Sequence, residues 1–140
     1  EVKSTVLSYK DSSVQGITTY AYAVRAYRTV GGKKILGGYK ASSYIQSYPL
    51  KQKISKICKT SSGLKIYWST QKKASGYQIY RKTKNSSWKK IKTISNGKTA
   101  SFEDRTAKKG TTYYYAVRAG AKTSTGKIVY GSYTAKTAKR

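Results

Sequence analysis

Apolar and polar residues alternate with a period of two along much of this chain. The clearest run is residues 111–119, Thr-Thr-Tyr-Tyr-Tyr-Ala-Val-Arg-Ala. Successive side chains of a strand point to opposite faces. Tyr113, Tyr115, Val117 and Ala119 therefore share one face, and Tyr114, Ala116 and Arg118 share the other. The first set is larger and more apolar, which predicts that it faces inward. Residues 18–26 repeat the run with one change, Ala21 in place of Tyr114. That copy predicts Tyr20, Tyr22, Val24 and Ala26 inward. Further strands are predicted at 5–9, 18–29 and 36–45, then at 54–59, 64–68, 77–81, 88–94, 99–103, 111–121 and 127–136. Val, Ile, Thr and Tyr suit strands, and no amphipathic helix is visible. Turn signals separate the runs: Gly31-Gly32-Lys33-Lys34, Asn85-Ser86-Ser87 and Asn96-Gly97, the last a hairpin dipeptide because both residues tolerate positive φ. Pro49 cannot continue a central strand and predicts a boundary between residues 1–49 and 50–140.

The two copies of the run lie 93 positions apart. The same offset, without a gap, pairs Ser8 with Ser101, Tyr9 with Phe102, Asp11 with Asp104, Lys34 with Lys127, Ile35 with Ile128 and Gly38 with Gly131. Small repeat units have periods of roughly 20–50 residues, so this period predicts a tandem of whole domains. Glu1 then aligns with Ile94. Residues 1–49 carry the last three strands of such a unit, and residues 50–140 carry seven. Seven short strands, each preceded by a turn signal, predict a β-sandwich.

Residues 50–140 resemble a fibronectin type III domain, an immunoglobulin-like sandwich. Trp68 stands where that family has its core tryptophan, and Tyr77-Gln78-Ile79-Tyr80-Arg81 is similar to its third strand. Gly110-Thr111-Thr112-Tyr113, followed by Tyr115, Val117 and Ala119, is similar to its sixth, with Tyr113 at the tyrosine corner. Ala74-Ser75-Gly76-Tyr77 resembles the opening of the third strand in the Lys-, Ser- and Tyr-rich version of this domain found in Gram-positive secreted and surface proteins. The resemblance implies an all-β fold: a seven-stranded sandwich preceded by the C-terminal three-strand half of another. Together with the alternation phase it predicts one core from Trp68, Tyr77, Ile79, Tyr113, Tyr115 and Val117. It implies no function, because this sandwich hosts many.

Composition changes the picture through charge. The chain has 30 Lys plus Arg, 4 Asp plus Glu and no His, a formal net charge of +26. Solubility of a small domain needs a magnitude of only about 2–8. The surplus points to a polyanion. Candidate contact residues cluster in turns and outward strand positions: Lys72, Lys73, Arg81, Lys82, Lys84, Lys89, Lys90, Lys108 and Lys109. Lys outnumbers Arg, which suits diffuse attraction better than bidentate reading. Outward aromatics (Tyr80, Tyr114, Trp88) could stack on sugars or bases, or pack across strands.

Catalytic chemistry has little to draw on. The acids are Glu1, Asp11, Glu103 and Asp104. Glu103 and Asp104 are adjacent, so a strand turns them to opposite faces. Asp11 and Asp104 are read as satisfying backbone or Arg groups at a strand end. Cys58 is the only cysteine and has no His to serve as its base. No cofactor or metal is expected, and no run of about 18 apolar residues predicts a membrane span. The chain opens on Glu1 rather than Met, which is read as a mature fragment of something longer.

The favoured expectation is a non-catalytic spacer or adhesion module of a secreted or wall-associated bacterial protein, held to an anionic cell-wall polymer by its basic surface. The alternatives are a nucleic-acid-binding protein, or the tail of an extracellular enzyme whose catalytic region lies elsewhere. A protein partner is a further expectation for residues 1–49, to supply the strands they lack.

Overall fold

The computed structural model describes all 140 residues, Glu1–Arg140. Every regular element is a strand. Residues 1–50 contribute β1 (Thr19–Tyr20), β2 (Tyr27–Val30), β3 (Lys33–Leu36) and β4 (Ile45–Gln46). Then follow β5 (Gln52–Lys59), β6 (Leu64–Trp68), β7 (Gly76–Lys82), β8 (Lys89–Ile94), β9 (Ser101–Asp104), β10 (Thr112–Lys122), β11 (Ile128–Tyr130), β12 (Tyr133–Thr134) and β13 (Lys136–Lys139).

Strands β5 to β13 make two facing sheets. One has the order β11-β10-β7-β8, with β13 also on β10; the other has the order β12-β5-β6-β9. The segment at 127–136, predicted as one strand, is three. Strands β11 and β13 pair antiparallel with opposite ends of β10. Between them β12 crosses to the other sheet and pairs parallel with β5. Gly131 permits the crossing, because a Cβ there would sit 2.4 Å from the Pro49 carbonyl oxygen.

The core lies between the sheets. Strand β6 is buried at Leu64, Ile66 and Trp68, as its alternation dictates, and Tyr77, Ile79, Tyr113, Tyr115, Val117 and Ala119 face it from β7 and β10. Trp68 packs on Tyr77 with ring centroids 5.4 Å apart. The Lys108 N–H donates to the Tyr113 hydroxyl at 3.1 Å, closing the tyrosine corner. The segment at 54–59, the weakest by pattern, starts at Gln52 as an eight-residue strand.

Residues 1–50 depart from prediction. Residues 5–9 form no strand. The run at 18–29 breaks into β1, an isolated bridge of Ala23 to Ala41, and β2. The run at 36–45 is replaced by the short β3 and β4. The physical reason is pairing. Residues 8–11 align with β9, which pairs only with β6, and these 140 residues hold no counterpart of β6 for the first copy. The inward prediction fails here too: Val24 is 85 % exposed where its counterpart Val117 is 1 %. Every exposed large apolar side chain except Ile128 lies in residues 1–50.

What survives in the first copy is its polar lock. The Tyr22 hydroxyl donates to Asp11 Oδ2 at 3.2 Å, the Ser13 N–H and hydroxyl donate to Oδ1, and the Gln15 N–H donates to the Tyr20 hydroxyl at 2.7 Å. Shifted by 93 residues, each bond recurs around Asp104 and Tyr113. The register recurs as well: Tyr20 pairs with Ile45 as Tyr113 pairs with Ala138.

Candidate functional site

Two polar constellations stand out, one buried and one on the surface. The buried one centres on Asp104, which is 2 % exposed at the end of β9. Its Oδ2 accepts from the Tyr115 hydroxyl and from Arg81 Nη1, each at 2.7 Å. Its Oδ1 accepts from the Thr106 N–H and hydroxyl. Burial alone would raise the Asp104 pKa, but the bonds from Tyr115, Thr106 and Arg81 outweigh it and hold the carboxyl below its ordinary range. Burial, then the bond to Asp104, push the Tyr115 hydroxyl far above the usual tyrosine range. The arrangement ties β7, β9 and β10 together through one carboxylate.

This corrects one assignment. Arg81 was expected among the surface cations. The inward face that it shares with Tyr77 and Ile79 instead carries its guanidinium to Asp104 and over the Tyr113 ring, 4.7 Å from the centroid. Neighbouring Glu103 points the other way. The Ser62 and Thr60 hydroxyls, with Arg105, hold it at about 2.

The remaining predicted cations do not form one patch. Lys72 and Lys73 lie in the β6–β7 turn. Lys84, Lys89, Lys108 and Lys109 lie in or beside the β7–β8 and β9–β10 turns, at the opposite pole by the strand directions. All six are exposed, and so is Lys90 on β8. The chain has 30 cationic side chains and three ion pairs, so the positive charge stands largely unneutralised.

The surface constellation is the outer face of β7 and β10. Tyr114 lies opposite Lys82, and Arg118 opposite Gln78. Lys82 Nζ lies 5.5 Å from the Tyr114 ring centroid and 5.6 Å from that of Trp88. Trp88 meets Tyr133 edge-on, centroids 5.7 Å apart. Arg118 lies 5.5 Å from the Tyr130 ring centroid, and its Nε donates to the Gly131 carbonyl at 3.0 Å. A shallow cleft of about 480 Å³ is lined by Arg118, Tyr130, Gly131, Ser132 and Tyr133. Trp88 and Tyr114 were legible as outward aromatics. Tyr130 and Tyr133 were not, because the segment predicted as one strand is broken at Gly131: β11 carries Tyr130 on β10, and β12 carries Tyr133 onto β5. Ala116, also on this outer face, is fully buried, so the face carries a packed layer of its own.

No group of three or more His, Cys, Asp or Glu side chains is placed to hold a metal ion. Cys58 is a half-buried free thiol on β5. No helix is long and apolar enough to cross a membrane.

No protein-family model matches the sequence, and a search of curated proteins finds no match. Solved structures do share the architecture. Pectate lyase Pel3 from Pectobacterium carotovorum matches at a TM-score of 0.50 and 19% identity, over 64% of this chain and 27% of that one. A β-1,2-glucanase from Parabacteroides distasonis matches at 0.51 and 15% identity, over 79% of this chain and 16% of that one. An Fn3-like protein from Clostridium thermocellum matches at 0.40 and 21% identity, over 60% of this chain and 86% of that one. The chain thus spans about a quarter of the pectate lyase chain it matches. Sheet order and tyrosine corner define the class: the fold is all-β and fibronectin type III-like.

Proposed function

We propose that this chain is a non-catalytic spacer and adhesion module of a secreted or wall-associated protein, held by its basic surface to an anionic polymer such as a cell-wall polyanion. One observation carries the reading: a net charge of +26 on a chain whose lysines are mostly exposed and whose ion pairs number three. Such a surface concentrates a polyanion by long-range attraction and counterion release. The buried polar groups contribute rigidity, which a spacer needs. We read residues 1–49 as the last three strands of a second sandwich and residues 50–140 as a complete one, in a basic tandem array of the Gram-positive kind. The missing strands would come from a protein partner or from adjoining chain.

A second reading places the module beside a catalytic region outside these residues. It is favoured by the occurrence of such a sandwich in chains named as a pectate lyase and a β-1,2-glucanase, of which it is a minor part. The test is binding to isolated bacterial walls with and without teichoic acid, beside duplex DNA at matched salt. Retention that depends on the wall anion, and exceeds retention on DNA, supports the module. Equal binding to walls stripped of it refutes the assignment, and tighter binding to DNA points to a nucleic-acid protein.

A further inference from the structure

On the outer face of β7 and β10 two cations and four rings run as one strip, where elsewhere on the surface a cation meets a single ring: Arg25 on Tyr39, Lys34 on Tyr27 and Lys65 on Tyr67. Along the strip run Tyr114, Lys82, Trp88, Tyr133, Arg118 and Tyr130, all half-buried, linked by the contacts given above. No carboxylate neutralises the strip. Glu103 is engaged by Thr60 and Ser62 on the other sheet, and Asp104 is in the interior. Arg118 donates only to the backbone carbonyls of Gly131 and Tyr130. Both cations are therefore held against rings with no internal counter-ion, and beside Arg118 lies an open cleft.

We propose that this strip is a binding site for an acidic polysaccharide, with sugar rings lying on Trp88, Tyr133 and Tyr130 and sugar carboxylates meeting Lys82 and Arg118. The inference rests on the reading of the chain as a polyanion-binding module and gives that reading a place and a ligand chemistry. Two features favour a glycan over single-stranded nucleic acid. The Trp88 and Tyr133 rings are inclined at 73°, so they offer no parallel platforms for successive bases. Lys82 hangs over both Trp88 and Tyr114, leaving ring surface alternating with ammonium charge. A carboxylated sugar, with an apolar C–H face and one charge per residue, complements that alternation. Lys82 and Arg118 sit about four residues apart along the paired strands, roughly 13 Å, so one extended chain can engage both.

The experiment compares three polymers on the full chain at fixed ionic strength: polygalacturonate, inorganic polyphosphate, and single-stranded DNA. The variants are Trp88→Ala, Trp88→Phe and the double change Lys72→Ala with Lys73→Ala at the far pole. Trp88→Ala should weaken polygalacturonate about tenfold, the equivalent of one stacking contact, and leave polyphosphate unchanged. Trp88→Phe should restore most of the loss, and circular dichroism shows whether each variant is folded. The Lys72 and Lys73 changes should weaken both polymers alike and only slightly. If Trp88→Ala affects polygalacturonate and polyphosphate equally, or if folded Trp88→Ala binds polygalacturonate like wild type, the strip is not the site, while the basic-surface reading stands. If DNA binds more tightly and suffers the larger loss, the occupant is nucleic acid and the proposal is overturned. If wild type binds none of the three, the broader reading fails with it.

Discussion

Asp104→Ala should be among the most destabilising single changes in the chain. Its carboxylate is the sole acceptor recorded for the Tyr115 hydroxyl and the counter-ion of Arg81. Removing it orphans a hydroxyl on a residue with 0 % exposure, a cost of about 1–3 kcal/mol. It also leaves a guanidinium without its counter-ion, with the Thr106 hydroxyl still accepting from its Nη1 at 2.9 Å. The Arg81 side chain is 21% exposed, and this partial solvation places its share near about 1–2 kcal/mol. The total is about 3 kcal/mol, equivalent to a fall in Tm of roughly 12–24 °C for a domain of this size. Urea unfolding followed by tryptophan fluorescence measures it. Tyr115→Phe removes one donor from a carboxylate that keeps three others, so it should cost only about 1 kcal/mol. The double mutant should show coupling, because both changes act on one bond. The pH dependence has a fixed sign. The folded pKa of Asp104 is depressed, so its stabilisation is fully present above the unfolded aspartate value of about 3.9. It is lost as the pH falls through the lower folded value. The gap between wild type and Asp104→Asn should therefore close on acidification below about pH 4. A loss under about 1 kcal/mol for Asp104→Ala, or a gap that widens in acid, would refute the lock.

Three further outcomes follow from the same structure. Trp68→Ala should cost about 3–5 kcal/mol as a large truncation in a packed core, and a loss under about 1 kcal/mol in urea unfolding would contradict that packing. Polyanion affinity should fall linearly, on logarithmic scales, as salt rises from about 50 to 500 mM, over which the Debye length shortens about threefold; salt-insensitive binding would mean a dedicated pocket dominates. In hydrogen exchange on the purified chain, the amides of residues 20–26 should exchange much faster than those of residues 113–119, since few of the former lie in strands. Equal protection without a partner would show that the first copy is stable on its own.

The second copy was legible because its alternation and its surroundings agree. Leu64, Ile66 and Trp68 alternate with half-buried Lys65 and Tyr67, and a facing sheet exists to cover the apolar set. The same alternation in the first copy says what residues 18–26 are suited to, but a strand also needs a neighbour, and pattern alone does not report whether one is present. Arg81 shows the reverse case. Its charge advertised a surface role, while its phase, shared with Tyr77 and Ile79, placed it inward, and phase decided because Asp104 was there to receive it. Gly110 and Ile17 mark a finer limit. They occupy matching positions, and both adopt positive φ, 79° and 58°, although only glycine does so without a steric penalty. The turn geometry is thus kept in the first copy by its hydrogen bonds, with Ser47 accepting from the Thr18 N–H and donating to the Gln15 carbonyl. The outer strip was the least legible feature. Tyr114 and Arg118 sit two turns of the pleat apart in one run, but Trp88 reaches them from a turn, and Tyr130 and Tyr133 from two strands in different sheets, β11 and β12. Single-sequence periodicity carries within-strand order. The partners that make an aromatic and a lysine into a site are supplied by the crossing of chain segments, and that crossing depends on one small residue, Gly131, with no side chain to hold the backbones apart.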